Sequence, residues 1–233
     1  MLRPIIAQIE PTLTAVYRYV SQPPTPNLRG DRDIEHSWIA ARMPEGPGQG
    51  LDFGSGDSHL SLVAIRRGFQ MTAADRSYID WPFEHPAFTF VQGDALASGL
   101  PAQSFGLIIN CSTIEHLGLG RYGDRYDAQA DLSGMRQLRS LLKTDGVLLM
   151  TVPVGIDAVY PRVHRVYGRT RLPLLLEGFV IREREFWTKN DQNRWNLASE
   201  DAALNWASTD YAYALGCFVL SRTDAMQSAL PEE

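Results

Sequence analysis

The sequence predicts an α/β fold: a doubly wound sheet, mostly parallel, with an antiparallel edge strand. Three observations carry that prediction. Short apolar runs alternate with amphipathic, helix-length segments through the middle of the chain. A glycine-rich turn, Gly54-Ser55-Gly56, separates the first apolar run from the helix after it. Acidic residues stand at the ends of the first three predicted strands: Asp52, Asp75 and Asp94.

The elements follow in order. Residues 11–20 have the composition of a short helix, and three prolines between 21 and 30 prevent its continuation. Residues 33–43 place Ile34, Trp38 and Ala41 on one helical stripe, ended by Pro44, Gly46 and Pro47. Strand one is expected at Gly50–Phe53, a helix at Ser58–Arg67 closed by Gly68, strand two at Phe69–Ala74, strand three at Ala87–Gln92 and strand four at Phe105–Cys111. A longer helix spans Asp127–Leu142, with Leu132, Met135, Leu138 and Leu142 at helical spacing. Asp145-Gly146 reads as a turn before strand five at Val147–Val152. A short helix at Arg171–Glu177 precedes two alternating segments, Phe179–Trp187 and Tyr211–Ser221, which lack a helix-length pattern between them and are expected to pair antiparallel. The polar stretch 188–210 reads as a long loop, in part helical. Residues 1–45 form a helical extension or lid in this reading, and 46–225 form one domain. The segment from Asn27 to Met43, which carries Arg29, Asp31, Arg32, Glu35, His36 and Trp38, is either a lid over a ligand or a helix packed on the sheet.

Composition bounds the function. The chain has 233 residues, 44% hydrophobic and 21% charged, as expected for a globular domain with a full core. A formal net charge of −5 gives no basic face, so no nucleic-acid partner is expected. Cys111 and Cys217 lie far apart in apolar runs and read as buried thiols, neither a disulfide framework nor a zinc site. No apolar run reaches the ~18 residues of a membrane span. The first twenty residues do not read as a signal peptide, so a cytoplasmic location is expected.

The glycine turn discriminates between ligands. A dinucleotide loop requires a third glycine where this chain has His59, which argues against a nucleotide-linked oxidoreductase. A loop of the form Asp/Glu-x-Gly-x-Gly-x-Gly matches at Asp52, Gly54 and Gly56 and departs at Ser58. An acidic residue there suits a cationic ligand and repels a pyrophosphate. Asp75, 19 residues after Gly56, is placed to accept both hydroxyls of a ribose.

On these residues the segment from Gly50 to Pro153 resembles the Rossmann-like core of class I S-adenosylmethionine-dependent methyltransferases. The Ile114-Glu115-His116-Leu117 segment resembles their Glu-His-Leu segment after strand four. The run from Leu141 to Pro153 resembles their fifth strand and its approach. More narrowly, the segments 114–124, 152–155 and 163–168 resemble a poorly characterised bacterial subgroup associated with polysaccharide biosynthesis. The resemblance implies S-adenosylmethionine as cofactor, with Asp94-Ala95 near the adenine. The cofactor set is then Asp52, Gly54, Ser55, Gly56, Asp75, Arg76, Asp94, Ala95 and Cys111. It implies methyl transfer, with a hydroxyl of a sugar, glycan or other small molecule as the expected acceptor. His116 is the candidate base. Arg121, Tyr122 and Asp124, with His164, Arg165 and Tyr167, are the candidate acceptor-binding residues, arginine suiting a bidentate grip on phosphate or carboxylate. No metal site is assigned. Asp124, Asp127, Asp131, Glu115 and His116 have donor types suited to Mg²⁺, but their spacing does not establish a site. Asp127 has the alternative role of capping the helix after it. The Asn-Pro-Pro-Tyr motif of amide and base N-methylation is missing, since Asn110 is followed by Cys111, Ser112 and Thr113. The alternative from another class is a catalytically silent cofactor-binding or interaction module in a biosynthetic complex. Oligomeric state is not legible from the sequence.

Overall fold

A computed structural model describes residues 30–94 and 99–224. The helix expected at 11–20, the start of the proposed lid and Ala95 lie outside the described residues. The elements are α1 (Asp31–Arg42), β1 (Gly48–Phe53), α2 (Leu60–Arg66), β2 (Phe69–Asp75), β3 (Phe88–Gln92), β4 (Phe105–Cys111), a 3₁₀ turn (Ile114–His116), α3 (Ala130–Leu141), β5 (Leu142–Val154), β6 (Ala158–Tyr160), β7 (His164–Val166), α4 (Arg171–Leu175), β8 (Phe179–Lys189), β9 (Trp195–Ala198), α5 (Glu200–Leu204) and β10 (Ala214–Arg222).

Eight strands form one sheet in the order β3-β2-β1-β4-β5-β10-β8-β9, and β6 and β7 form a separate hairpin. Strands β3, β2, β1, β4 and β5 run parallel. Strand β10 runs antiparallel between β5 and β8, and β9 closes the edge antiparallel to β8. The order reverses between β1 and β4, and the parallel strands carry the near-continuous apolar runs of a sheet covered on both faces. Leu107, Ile108 and Ile109 of β4 have no exposed surface. One face is covered by Leu132, Met135, Leu138 and Leu141 of α3. The other is covered by Trp38 and Ile39 of α1 with Leu60 and Ala64 of α2.

The doubly wound sheet with an antiparallel edge is present as expected from the sequence. Three local expectations are corrected. Asp145-Gly146 is not a turn before β5 but part of an irregularity inside it, where the pairing jumps from Phe105–Leu142 to Leu107–Val147. The stretch 188–210 is loop with a short helix (α5), as expected, but it also holds a strand: a turn with Asn190 N–H to Arg194 O (3.0 Å) sends the chain back as β9 beside β8. Strand β10 is interior, since β5 offers the whole apolar length of Leu148–Val154 as a partner.

Candidate functional site

The carboxyl ends of β1, β2 and β4 open into a cleft of about 400 Å³. Its floor is the turn after β1. Gly54 and Gly56 have φ of 66° and 53°, in the left-handed region that favours glycine. At Gly54 a side chain would also collide with Thr113 after β4. The turn is fixed by Gly54 N–H and Ser55 N–H to Ala74 O (2.8 and 3.2 Å) and by Thr113 Oγ1 to Gly54 O (3.1 Å). The hydroxyls of Ser55 and Ser58 are buried without a partner. Ser58 occupies the place of the third glycine, and its hydroxyl is an unspent donor beside the cleft.

Asp75 ends β2 in the cleft wall. Its two carboxylate oxygens accept from Gly56 N–H (3.0 Å) and Ser77 N–H (2.8 Å). A carboxylate has about four acceptor directions, so two bonds hold Asp75 in orientation and leave acceptor capacity. Arg76, Gly93 and Asp94 continue this wall. Asp52 does not. Its side chain is 1% exposed and accepts from Ser61 Oγ (2.8 Å), behind the turn. Burial pushes its carboxyl up to about 7, against the Ser61 hydrogen bond and with help from Asp75. The sequence placed Asp52 against the ligand; the pleat of β1 turns it into the protein, where it anchors α2.

The opposite wall is built from α1 and the chain after β4. Arg32 and His36 of α1 line it together with Cys111, Ser112, Thr113, His116, Arg121 and Tyr122. A buried carboxylate fastens α1 there. Glu35 accepts from Thr151 Oγ1 (2.8 Å), Ser112 Oγ and Arg32 Nη1 (2.5 Å). Ser112 holds a positive φ of 47° to make its bond, a conformation disfavoured for a side-chain-bearing residue. Tyr213 of the segment before β10 donates to Asp31 (3.1 Å), and Arg42 stacks 4.2 Å over Trp38 while pairing with Glu183 of β8. The first helix packs on the sheet, the second of the two readings, and Arg32 and His36 on its polar side line the cleft. Ser112 and Thr151 were missed, and Glu35 was read only as part of the candidate lid. The signal was the polar set Asp31, Arg32, Glu35 and His36 at helical spacing. The Cys111 thiol lines the cleft within reach of Arg32 Nη1 (3.8 Å) and Thr151 Oγ1 (3.7 Å). Burial pushes it far above the usual thiol range, so it is no nucleophile.

His116 sits in the 3₁₀ turn at the far end of the cleft. Its Nδ1–H donates to Val163 O (2.6 Å), which leaves the lone pair on Nε2. Arg121 Nη1 donates to the same carbonyl (3.0 Å). Burial, then the Arg121 charge, pulls His116 down to about 3, so its imidazole is neutral at neutral pH. Glu115 lies 3.7 Å from His116 Nε2. It is 1% exposed, its Oε2 has no hydrogen-bond partner, and burial pushes it up to about 8.

The remaining candidates for acceptor binding separate. Arg121 and Tyr122 line the cleft. Asp124 does not: it accepts from Gly120 N–H (3.3 Å) and Tyr122 N–H (3.2 Å) and shapes their loop. Arg165 and Tyr167 are corrected from binding residues to internal supports. They are 1% and 0% exposed. Arg165 donates to the carbonyls of Leu117 (2.5 Å) and Asp127 (2.9 Å), which ties the 117–127 loop down. Tyr167 donates to Asp131 (3.1 Å), which Arg171 grips through Nε (2.9 Å) and Nη2 (2.6 Å). At Gly118 the loop closes on itself, Asp127 N–H to Gly118 O (2.9 Å), and a side chain would collide with Asp127 and Ala130. His164 is 4% exposed, packed edge-on against Tyr213 (5.2 Å) and Tyr160 (5.6 Å), and does not line the cleft. Asp127 does not reach a metal; its carboxylate accepts from Gln129 N–H (2.8 Å) at the start of α3. With Asp131 spent on arginines, the five donors do not converge, and no group of three His, Cys, Asp or Glu among the described residues is placed to hold a metal.

Among the described residues, no helix is long and apolar enough to cross a membrane. No curated protein matches the chain in a sequence search. Solved structures resemble it throughout. The 1,6-didemethyltoxoflavin-N1-methyltransferase of Burkholderia thailandensis, solved with 1,6-didemethyltoxoflavin and S-adenosylhomocysteine, has a TM-score of 0.56 at 15% identity, over 96% of this chain and 88% of that one. A SAM-dependent methyltransferase of Archaeoglobus fulgidus has a TM-score of 0.58 at 16% identity, over 83% and 96%. The 4+2 cyclase SpnF has a TM-score of 0.60 at 15% identity, over 84% and 83%. At such identities the likeness is one of fold, and the cyclase illustrates that this fold hosts more than one chemistry. The model of a sequence family matches residues 96–216, more than half of the chain, and by that match the protein belongs to DUF268, the family described as "Caenorhabditis protein of unknown function".

Proposed function

We propose that the cleft binds S-adenosylmethionine and that the protein transfers its methyl group to a small-molecule nucleophile. One observation carries this reading: the glycine turn, Asp75 and Asp94 face a single cleft at the switch point of the sheet. The carboxylates suit the diol of a ribose and a cationic ligand, and nothing in the turn offers a pyrophosphate a basic side chain. Ser55 and Ser58 offer hydroxyl donors to the carboxylate of the methionine end. The cofactor seen in the Burkholderia thailandensis neighbour fits the same reading. Phe53, Gly54–Gly56, Asp75, Arg76, Asp94 and Cys111 are its proposed contacts.

The finer proposal is transfer to oxygen, with a hydroxyl of a sugar, glycan or similar small molecule as acceptor and a role in polysaccharide biosynthesis. Tyr122 supplies an aromatic face at the acceptor end and Arg121 a planar donor. His116 takes the proton. Its Nε2 lone pair is available because Nδ1 is committed to Val163, and its surroundings keep it neutral. They also make it a weak base, so proton removal follows the lead of carbon–oxygen bond formation: the hydroxyl becomes strongly acidic only as the methyl arrives. The sulfonium leaves as a neutral thioether, so no leaving-group charge needs stabilising.

Calorimetric titration with S-adenosylhomocysteine tests the cofactor assignment. One-to-one binding that competes with S-adenosylmethionine is expected. Absence of binding, or tighter binding of NAD(P), refutes it. Radiolabelled methyl transfer to a panel of hydroxylated acceptors then tests the finer proposal; label found on nitrogen or carbon alone refutes transfer to oxygen.

A further inference from the structure

Charge is segregated along the cleft. Asp57, Asp75 and Asp94 line the end bounded by β1, β2 and β3, where Arg76 is the single cation and the balance is acidic. At the other end the lining residues are Arg32, His36, Cys111–Thr113, His116, Arg121 and Tyr122, with no carboxylate among the described residues. Glu35, which pairs with Arg32, is fully buried behind this wall, and Glu115 is buried as well. The segregation runs against the chain's net charge of −5. Two guanidinium groups thus share this end of the cleft with His116. Arg121 shares the Val163 carbonyl with the His116 ring and lies 5.5 Å from the Tyr122 ring centre. It has no acidic partner among the described residues, and one of its five N–H donors is used on that carbonyl. Arg32 spends Nη1 on Glu35 and is 54% exposed, so its remaining donors reach the cleft.

We propose that this end of the cleft takes an acceptor bearing a carboxylate or phosphate group, gripped between Arg121 and Arg32 with its nucleophile beside His116 Nε2. The inference rests on the methyl-transfer reading for the word acceptor; the anion site itself rests on the two arginines. Guanidinium is the donor geometry that matches either oxyanion. Electrostatics gives the site a second role. The groups facing His116 are Glu115 on its own turn, Arg121 on the loop after it, His164 of β7 and Arg32 of α1. Both arginines disfavour its protonated form, and an anion placed between them offsets that effect. The substrate's own charge then strengthens the base that serves it.

The test uses the whole protein saturated with S-adenosylhomocysteine, so the cofactor end is filled. The His116 ring resonance, assigned with H116N, is titrated by NMR with inorganic phosphate and separately with acetate. A saturable movement of the His116 titration toward neutral pH is expected with one of the two anions. Phosphate alone points to a phosphorylated acceptor, and acetate alone to a carboxylic acid. Arg121→Gln, on an exposed loop, is expected to weaken the response about 10-fold, as the loss of a charge-assisted hydrogen bond does. Arg136→Gln on the outer face of α3 is expected to leave it intact. No response to either anion, or an equal response in Arg121→Gln, overturns the proposal. Cofactor binding is measured first. Its failure removes the methyl-transfer reading alone, and the anion titration is then read on the ligand-free protein, where it still decides the anion site.

Discussion

Two buried carboxylates, Asp131 and Glu115, have opposite lives. Asp131 in α3 is fully buried and fully answered: Arg171 grips both oxygens, Tyr167 donates to one, and Arg165 Nε lies 3.6 Å away. Glu115 is equally buried, yet its Oε2 has no partner, and His116 Nε2 lies 3.7 Å from its other oxygen. The first is an ion-pair network that holds β7 and α4 against α3. The second is left unpaired beside the cleft. A buried polar group without a partner costs roughly 1–3 kcal/mol, and such costs concentrate where function requires them. The contrast teaches that density of charged and aromatic residues does not mark a site.

The sharpest way to break this comparison is to cut the Asp131 network. Asp131→Asn leaves two arginines without their counter-charge and is expected to cost ~3–5 kcal/mol in chemical denaturation. A variant of near wild-type stability would show the network to be ornamental. His116→Asn should do the reverse: thermal stability close to wild type, S-adenosylhomocysteine affinity retained, and turnover lowered ~100-fold once an acceptor is in hand. Unchanged turnover removes His116 as the base. Asp75→Ala, at the cofactor end, is expected to weaken S-adenosylhomocysteine binding by ~1–3 kcal/mol in calorimetry. Equal affinity would dismiss Asp75 as a cofactor contact.

A further effect concerns pH. Glu115 is raised from 4.5 to about 8 by burial, so the folded protein holds a proton there that the unfolded chain releases. Its contribution to stability is complete below about pH 4.5 and is lost as pH rises through 8. Asp52, raised to about 7, acts in the same direction. Glu115→Gln should flatten the decline of melting temperature between pH 5 and 8, and Asp52→Asn should remove another part of it. A decline of unchanged slope in both variants would show that these carboxyls are ionised in the fold.

Much of this was legible in the sequence, for stateable reasons. The parallel strands announce themselves because each is an uninterrupted apolar run, as in Leu107–Ile109, and Gly54 because the turn admits no side chain. Asp75 was legible as the acidic residue that ends β2, on the carboxyl side where the cleft opens. Asp52 was not: within a strand, one step along the pleat exchanges solvent for core. Arg165 and Tyr167 read as a binding cluster because an ion-pair network and an anion site use the same residue types; burial alone separates them. Glu35 was hidden by distance, reaching partners 77 and 116 positions away. Strand β9 was hidden by its polarity, which an edge strand tolerates.

The interior place of β10 has a consequence for how the chain assembles. Strand β8 touches the rest of the sheet only through β10, and β5 has β10 as its second neighbour. Until Ala214–Arg222 arrives, the hairpin of β8 and β9 has no strand of the parallel half to pair with and β5 shows a bare hydrogen-bonding edge. On the ribosome the half of the molecule carrying the glycine turn can settle early, while the other half waits for one strand to be threaded between two that were made before it. An emerging chain is thus most prone to pairing with a neighbour during that wait.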